Sequence, residues 1–551
     1  MKKIDSNEEK IENKNNIENE DNIGYRISVK AFLKIAGRAF AVIVLTASLL
    51  CALVSDWLVC NLGTRDLYGT IFSITQGGDG ANMEPFYSII AESIILIVVT
   101  VVGSVVLFRV FRNRGRKWFY SVYIMAVISA FIVCMQYSED EVGLLTLIKG
   151  QITETTLFEE EYVDPDDVKI TFPEGKRNLI YISIESMEDT FSLGQYGGAL
   201  DRDVIPELTA LQLDKDNVNF TVDHNVLNGA YTPANTAWTA ASQVAQTSGV
   251  PLKDYGSTDR YMPGIVSIGD ILNSYGYKQV YIAGSYMYYA DMSKYYSQHG
   301  GYEMQDMHYA VKNGLIPSDY FENWGYEDEK LFQFARDELS KIGDSRQPFN
   351  LFIATMDTHF PDGYKCRLCP DDSDIQYENV LSCESSQLES FIEWVKEQDF
   401  YENTTIVLSG DHPTMEKQYI REKNVSDRYD RKTYVVVINS GETYTLDYDR
   451  QFTVFDMYPT TLAAIGAEIE GDRLGLGVNL FSDTPTLLER YGYDKLNSEL
   501  EKKSVYYNTK LKVEESSTMK NSKKKKYEKN RIKHYLLIVA GRWNVCMYCH
   551  S

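Results

Sequence analysis

Asn178-Leu-Ile-Tyr-Ile-Ser-Ile-Glu185-Ser186 is an isoleucine-rich apolar run that stops on a carboxylate. It shows no clean alternation of polar and apolar residues, so it predicts a strand buried on both faces, as in a parallel sheet covered by helices. Four more short apolar runs read the same way: Gln279–Ala283, Phe349–Ala354, Thr404–Leu408 and Tyr434–Ile438. Helical patterns lie between or after them at Ala240–Thr247, Glu327–Ile342, Ser385–Glu397 and Val454–Ile465. Strands that alternate with helices predict an α/β domain with a mostly parallel sheet between helices.

In such sheets, ligands bind beyond the carboxyl ends of the strands. Glu185 follows the first run, His359 the Phe349–Ala354 run, and Asp411-His412 the Thr404–Leu408 run. A lone glutamate there is usually a loop residue, a lone histidine is usually hydrogen-bonded structure, and Asp-His pairs occur by chance. Together at one end of one sheet they predict a shared site. Carboxylates with an imidazole suit a divalent ion, Mn²⁺, Mg²⁺ or Zn²⁺. A threonine hydroxyl beside such an ion ionises more readily and becomes a nucleophile. Thr236 opens the helical run 237–247, where free N–H groups would receive a phosphoryl oxygen. Thr236 could equally be a plain helix cap, and Thr232 and Thr239 compete with it.

The chain has 551 residues and a formal net charge of −23, which argues against nucleic acid as a partner. Apolar runs near 39–59, 88–108 and 118–136 approach the ~20 residues that cross a bilayer as a helix. Arg26, Lys30, Lys34 and Arg38 precede the first, and Arg109, Arg112, Arg114, Arg116 and Lys117 separate the second from the third. Basic loops stay inside, so the expected N-terminus is cytoplasmic and everything after about residue 139 is outside.

The resulting division is a disordered cytoplasmic tail at 1–30, a membrane region at 31–138 and an extracytoplasmic linker at 139–174. A catalytic domain at 175–490 and a basic tail at 491–551 follow. That tail holds Lys523-Lys-Lys-Lys526 and a short apolar run at 535–541, and reads as solvated chain or an interfacial anchor. Cys366-Arg-Leu-Cys369 with Cys383 reads as a zinc site lacking its fourth ligand. Outside the cell the expectation becomes a disulfide from Cys383 to Cys366 or to Cys369, with one thiol left over.

At these residues the chain resembles the lipoteichoic acid synthase and phosphoglycerol transferase family of the alkaline phosphatase–sulfatase superfamily. The segment 178–186 is similar to that family's first metal-ligand strand, and Asn235-Thr236-Ala-Trp238-Thr239 through Pro251 to its nucleophile helix. Met356-Asp-Thr-His359-Phe-Pro is similar to its substrate-histidine motif, and Ser409-Gly-Asp411-His412 to its second ligand pair. The stretch Gly471–Gly477 is similar to a family segment near the end of the domain.

The resemblance implies an alkaline phosphatase-like fold behind three transmembrane helices. It implies one divalent ion, Mn²⁺ foremost, on Glu185, Thr236, Asp411 and His412. Thr236 would take glycerophosphate from phosphatidylglycerol and pass it to a polymer, glycolipid or glucan hydroxyl. His359 would hold the phosphate or assist proton transfer, with Trp238 and Lys294 as further substrate-binding positions. The chain departs from the family in having three spans rather than five, Met292 where a basic residue grips the phosphoglycerol, and Pro413 after the Asp-His pair. Rival readings are a phosphoethanolamine transferase, a sulfatase-like hydrolase and a non-catalytic sensor. The Cys/Ser-x-Pro-x-Arg pattern of sulfatases is missing around Thr236.

Overall fold

The computed structural model describes residues 5–62, 84–111, 116–253, 260–322, 324–426 and 428–512. The polybasic run and the apolar run near the C-terminus lie outside these residues. The chain divides into two units, one made of residues 1–67 and 82–146 and the other of 68–81 and 147–551.

The first unit holds three long helices, α1 (Asp5–Leu62), α2 (Glu84–Val110) and α3 (Arg116–Val142). Each contains a segment long and apolar enough to cross a membrane: Phe32–Cys60, Tyr87–Val110 and Lys117–Val142. These contain or closely overlap the three runs read from the sequence. α1 also takes in residues 5–30, where a tail without regular structure was expected. That tract has no proline and many Glu and Lys, which are good helix formers. Polar contacts join the helices to one another: Trp57 Nε1 donates to Ser88 at 3.1 Å, Ser104 and Tyr123 share a hydroxyl bond of 2.9 Å, and Tyr137 donates to Asp56 at 2.8 Å.

The second unit is built on seven strands: β3 (Gly229–Ala230), β8 (Thr433–Ile438), β7 (Thr404–Gly410), β2 (Asn178–Ile184), β6 (Phe349–Ala354), β4 (Lys278–Ala283) and β5 (Glu303–Gln305), in that spatial order. The pairs β7–β2, β2–β6, β6–β4 and β4–β5 are parallel. β8 runs against both its neighbours, which makes the sheet mixed at that edge. β2, β6, β7 and β8 are buried at every position. Their unbroken apolar runs follow from that burial on both faces.

On one face Tyr181, Phe352 and Tyr281 are register partners across β2, β6 and β4. Their rings stack with centroids 5.0 and 5.2 Å apart. Each such pair adds ~0.5–1.5 kcal/mol beyond the area it buries. On the other face Ile180, Ile182, Leu351, Ile353, Ile406 and Leu408 form the second core, against α6 (Asp328–Ile342) and α7 (Gln376–Lys396).

The domain is wider than residues 175–490. Leu157 and Phe158 are buried in its core, and β1 (Ile170–Thr171) pairs antiparallel with β9 (Glu468–Ile469). At the far end Leu496, Leu500, Tyr507 and Leu511 are also buried there. Parts of the stretches expected to be linker and tail, from Leu157 and as far as Leu511, thus belong to the fold. Leu157, Phe158, Leu496, Leu500, Tyr507 and Leu511 are buried there against distant parts of the chain.

Candidate active site

β2 and β7 are adjacent and in register, with Ile184 opposite Gly410. The next residues on the two strands, Glu185 and Asp411, therefore emerge side by side at the carboxyl edge. Gly410 is required for this: a Cβ there would lie 1.9 Å from the Met187 carbonyl oxygen. The Ser186 backbone, at φ 55°, turns its N–H onto Asp411 Oδ1 at 2.8 Å. The His412 N–H also donates to Asp411 Oδ1, at 2.7 Å. Glu185 is fixed by the Ser186 hydroxyl, which donates to Oε1 at 2.7 Å, and by its own N–H on Thr355 Oγ1 at 3.1 Å. Thr358 Oγ1 donates to its carbonyl at 2.5 Å.

His412 Nδ1 donates to the Pro413 carbonyl at 3.1 Å. A donating Nδ1 leaves the Nε2 lone pair as the ligating atom. Nε2 lies 3.4 Å from Glu185 Oε1, 3.5 Å from Asp411 Oδ2 and 3.5 Å from Thr239 Oγ1. The Thr239 hydroxyl donates to Glu185 Oε2 at 3.2 Å. Thr239 is the first residue of α4 (Thr239–Ser248). That helix is tied to the edge by Gln246, which donates to the Gly410 carbonyl at 3.1 Å and accepts from Tyr181 at 2.5 Å. The loop after His412 is anchored by Glu188, which accepts from the Thr414 N–H at 2.9 Å and takes the Arg431 fork.

Ligand atoms of Glu185, Asp411 and His412 all lie within 4.8 Å of one another, and all three residues are buried. Asp411 Oδ2 is buried with no hydrogen-bond partner. Burial, and then the Glu185 charge, push the Asp411 carboxyl up to about 7. Burial acts to raise Glu185 as well, but His412, His359 and the Ser186 hydroxyl outweigh it and hold this carboxyl below its ordinary value. Burial acts to lower His412, and Asp411 and Glu185 overcome it and raise the imidazole. Two crowded carboxylates, an orphaned oxygen and an aimed imidazole nitrogen are a donor set that fits one divalent cation.

Thr236 is not part of this set. Its hydroxyl donates to the Pro233 carbonyl at 2.6 Å and the residue is fully buried. It sits in a turn ahead of the helix, after Asn235 at φ 63°, and Trp238 rather than Thr236 is the cap. The threonine hydroxyl that reaches Glu185 and His412 in this structure is that of Thr239, three residues further on. The sequence reading began the helix at Ala237 and so favoured Thr236 over Thr239, whereas the helix begins at Thr239.

His359 is close enough to depress Glu185 but stands outside the ligand cluster. Its Nδ1 bonds the Phe360 carbonyl at 2.6 Å, and its ring packs on Trp324 with centroids 4.5 Å apart. Trp238 is buried in the core, and its carbonyl accepts from the Ser242 N–H at 2.8 Å. Lys294, on α5 (Met292–Gln298), pairs with Asp291 at 3.8 Å. Ser186 and Thr358 lie inside the quoted motif segments without a role assigned from sequence, and Thr355 lies outside them; all three hold Glu185.

A family model described as Sulfatase matches residues 177–467, more than half of the chain. The chain belongs to the sulfatase family. Phosphoglycerol transferase I of Escherichia coli O6:K15:H31 is 27% identical over 345 residues, covering 59% of this chain and 43% of the relative. The namesake from Shigella boydii serotype 18 matches to the same extent. The chain thus spans less than half the length of these curated relatives. Among solved structures, an alkaline phosphatase superfamily protein from Vibrio parahaemolyticus matches with TM-score 0.44 and 18% identity, over 60% of this chain and 76% of that one. The lipoteichoic acid synthase LtaP from Listeria monocytogenes matches with TM-score 0.44 and 16% identity, over 57% and 79%.

Proposed function

We propose that this sulfatase-family protein is a membrane-anchored phosphoglycerol transferase whose nucleophile is Thr239. The observation that carries this reading is the Thr239 hydroxyl, 3.2 Å from Glu185 and 3.5 Å from His412 Nε2 at the first turn of α4. The phosphoglycerol transferase I relatives support the choice of transferred group.

Glu185, Asp411, His412 and the Thr239 hydroxyl would hold one divalent ion, Mn²⁺ foremost. When bound, it makes that hydroxyl more acidic and offsets phosphate charge. Thr239 Oγ attacks the phosphorus of phosphatidylglycerol. The bond from phosphorus to the diacylglycerol oxygen breaks, and diacylglycerol leaves with a proton. N–H groups at the start of α4 face the phosphoryl oxygens. The Nδ1 of His359 is held by the Phe360 carbonyl, which leaves Nε2 for the substrate; when the ring is doubly protonated, that Nε2–H would donate to a phosphoryl oxygen or pass its proton to the leaving oxygen. An acceptor hydroxyl on a polyglycerol phosphate, glycolipid or glucan then takes the glycerophosphoryl group and frees Thr239.

The active site would lie outside the membrane, where the lipid headgroup and a surface acceptor meet. The test is incubation of the purified full chain with head-group-labelled phosphatidylglycerol, Mn²⁺ and candidate acceptors. Mass spectrometry should find diacylglycerol and a glycerophosphorylated acceptor. Turnover of phosphatidylethanolamine in place of phosphatidylglycerol would reject the donor.

A further inference from the structure

Cys366 and Cys369 lie on the loop that leaves the His359 segment, and Cys383 projects from α7. All three are free cysteines. Cys366 Sγ is 3.6 Å from Cys383 Sγ and 3.7 Å from Cys369 Sγ, and the three sulfurs lie within 4.8 Å of one another. Cys366 and Cys383 are buried, and Cys369 is half-buried. None of this cluster takes part in the phosphoryl-transfer site.

We propose that Cys366, Cys369 and Cys383 form a second, structural metal site for a thiophilic divalent ion such as Zn²⁺. Four sulfurs placed ~2.3 Å from a zinc ion stand about 3.8 Å apart along a tetrahedron's edges. The separations of 3.6 and 3.7 Å match that edge, and they share Cys366. A disulfide uses two sulfurs, and here neither pair around Cys366 is singled out over the other. Cys-x-x-Cys with a third cysteine from a helix is a zinc-ligand spacing.

Neighbouring N–H groups donate to the sulfurs. The Leu368 N–H donates to Cys366 Sγ at 3.4 Å. Gln387 Nε2 donates to Cys383 Sγ at 3.3 Å and reaches Cys366 Sγ at 4.0 Å. N–H donors aimed at sulfur favour the thiolate, which is the form that ligates. Water would complete the tetrahedron on the half-buried Cys369 side. Ligation would also withhold these thiolates from oxidation.

The metal would fasten the chain between His359 and α7 onto the helix. It therefore serves the first site by holding the histidine loop rather than by chemistry.

The test uses the detergent-purified full chain. The double variant Glu185→Gln/Asp411→Asn weakens the first site. It should still carry about one zinc per chain, and after exchange with Co²⁺ it should show the sulfur-to-cobalt charge-transfer band in the near ultraviolet. Adding Cys366→Ser or Cys383→Ser should abolish both signals, whereas adding Cys546→Ser/Cys549→Ser, the Cys-x-x-Cys pair near the end of the sequence, should leave them. If the Cys366 and Cys383 variants fail to fold, peptide mapping of non-reduced, alkylated wild type decides. Protection of all three thiols that is lifted by a chelator supports the site. A disulfide between any two of them, or full alkylation without chelator, overturns it. So does a cobalt band that follows Cys546 and Cys549.

Discussion

The hydroxyl of Thr239 donates to Glu185 Oε2 at 3.2 Å, although the two residues lie 54 positions apart in the chain. Thr236, three residues earlier, turns its hydroxyl away onto Pro233. Thr239→Ala should lower diacylglycerol release by about three orders of magnitude or more, with the fold intact by circular dichroism. Thr236→Ala loses one buried hydrogen bond and should cost ~1 kcal/mol of stability while retaining turnover. Assays of both variants under identical conditions separate the two threonines, and the reverse ranking would return the role to Thr236.

Asp411 already accepts two backbone N–H bonds through Oδ1 and leaves Oδ2 for a ligand. Asp411→Asn can keep the first function and weakens the second. The expected outcome is a folded protein with reduced divalent-ion content and turnover at least tenfold lower, partly restored by excess Mn²⁺. Wild type dialysed against chelator should lose activity and regain it on adding the ion. Undiminished activity in chelator would remove the cation from the account.

The strands were legible because β2, β6, β7 and β8 are buried on both faces, which forces unbroken apolar runs. The end of each parallel run then located Glu185, His359 and Asp411-His412. The antiparallel course of β8 was not legible, since its Val-rich run looks the same in either direction. The shift from Thr236 to Thr239 depends on a turn at Asn235 with positive φ, and asparagine alone does not announce one. Leu157, Phe158, Leu496 and Leu500 were missed because single apolar residues in polar stretches reveal burial only when distant chain covers them.

Asp189 is buried, and burial pushes its carboxyl up to about 7, with Lys432 and the Gln212 hydrogen bond opposing. An unfolded aspartate titrates near ~3.9, so the folded chain holds an extra proton between about pH 4 and about pH 7. This group's contribution is full below that window, falls by up to ~1.4 kcal/mol per pH unit through it, and is flat above. Asp189→Asn should therefore make stability less steep in pH, gaining on wild type as pH rises toward 7. Urea unfolding of both proteins from about pH 5 to about pH 8 checks this, and parallel curves would contradict it.

Arg38, near the start of the first apolar segment, lies over the ring of Tyr120, near the start of α3, at 4.9 Å, where basic residues gather. The proposed topology has those ends inside the cell, and three crossings would then put the catalytic domain outside. A membrane-impermeant protease added to intact wall-free cells should release a soluble fragment that contains Glu185 through His412. Cleavage that appears only after lysis would place the domain on the cytoplasmic side and remove its access to a surface acceptor.

The central claim is that Thr239 carries the glycerophosphoryl group between donor and acceptor. The most direct measurement is to mix the purified chain with phosphatidylglycerol and Mn²⁺ without acceptor, quench in acid, digest, and map adducts by tandem mass spectrometry. The account predicts a glycerophosphoryl group on Thr239 in wild type and none in Thr239→Ala. Diacylglycerol release with no covalent adduct, or an adduct on Thr236, would contradict it.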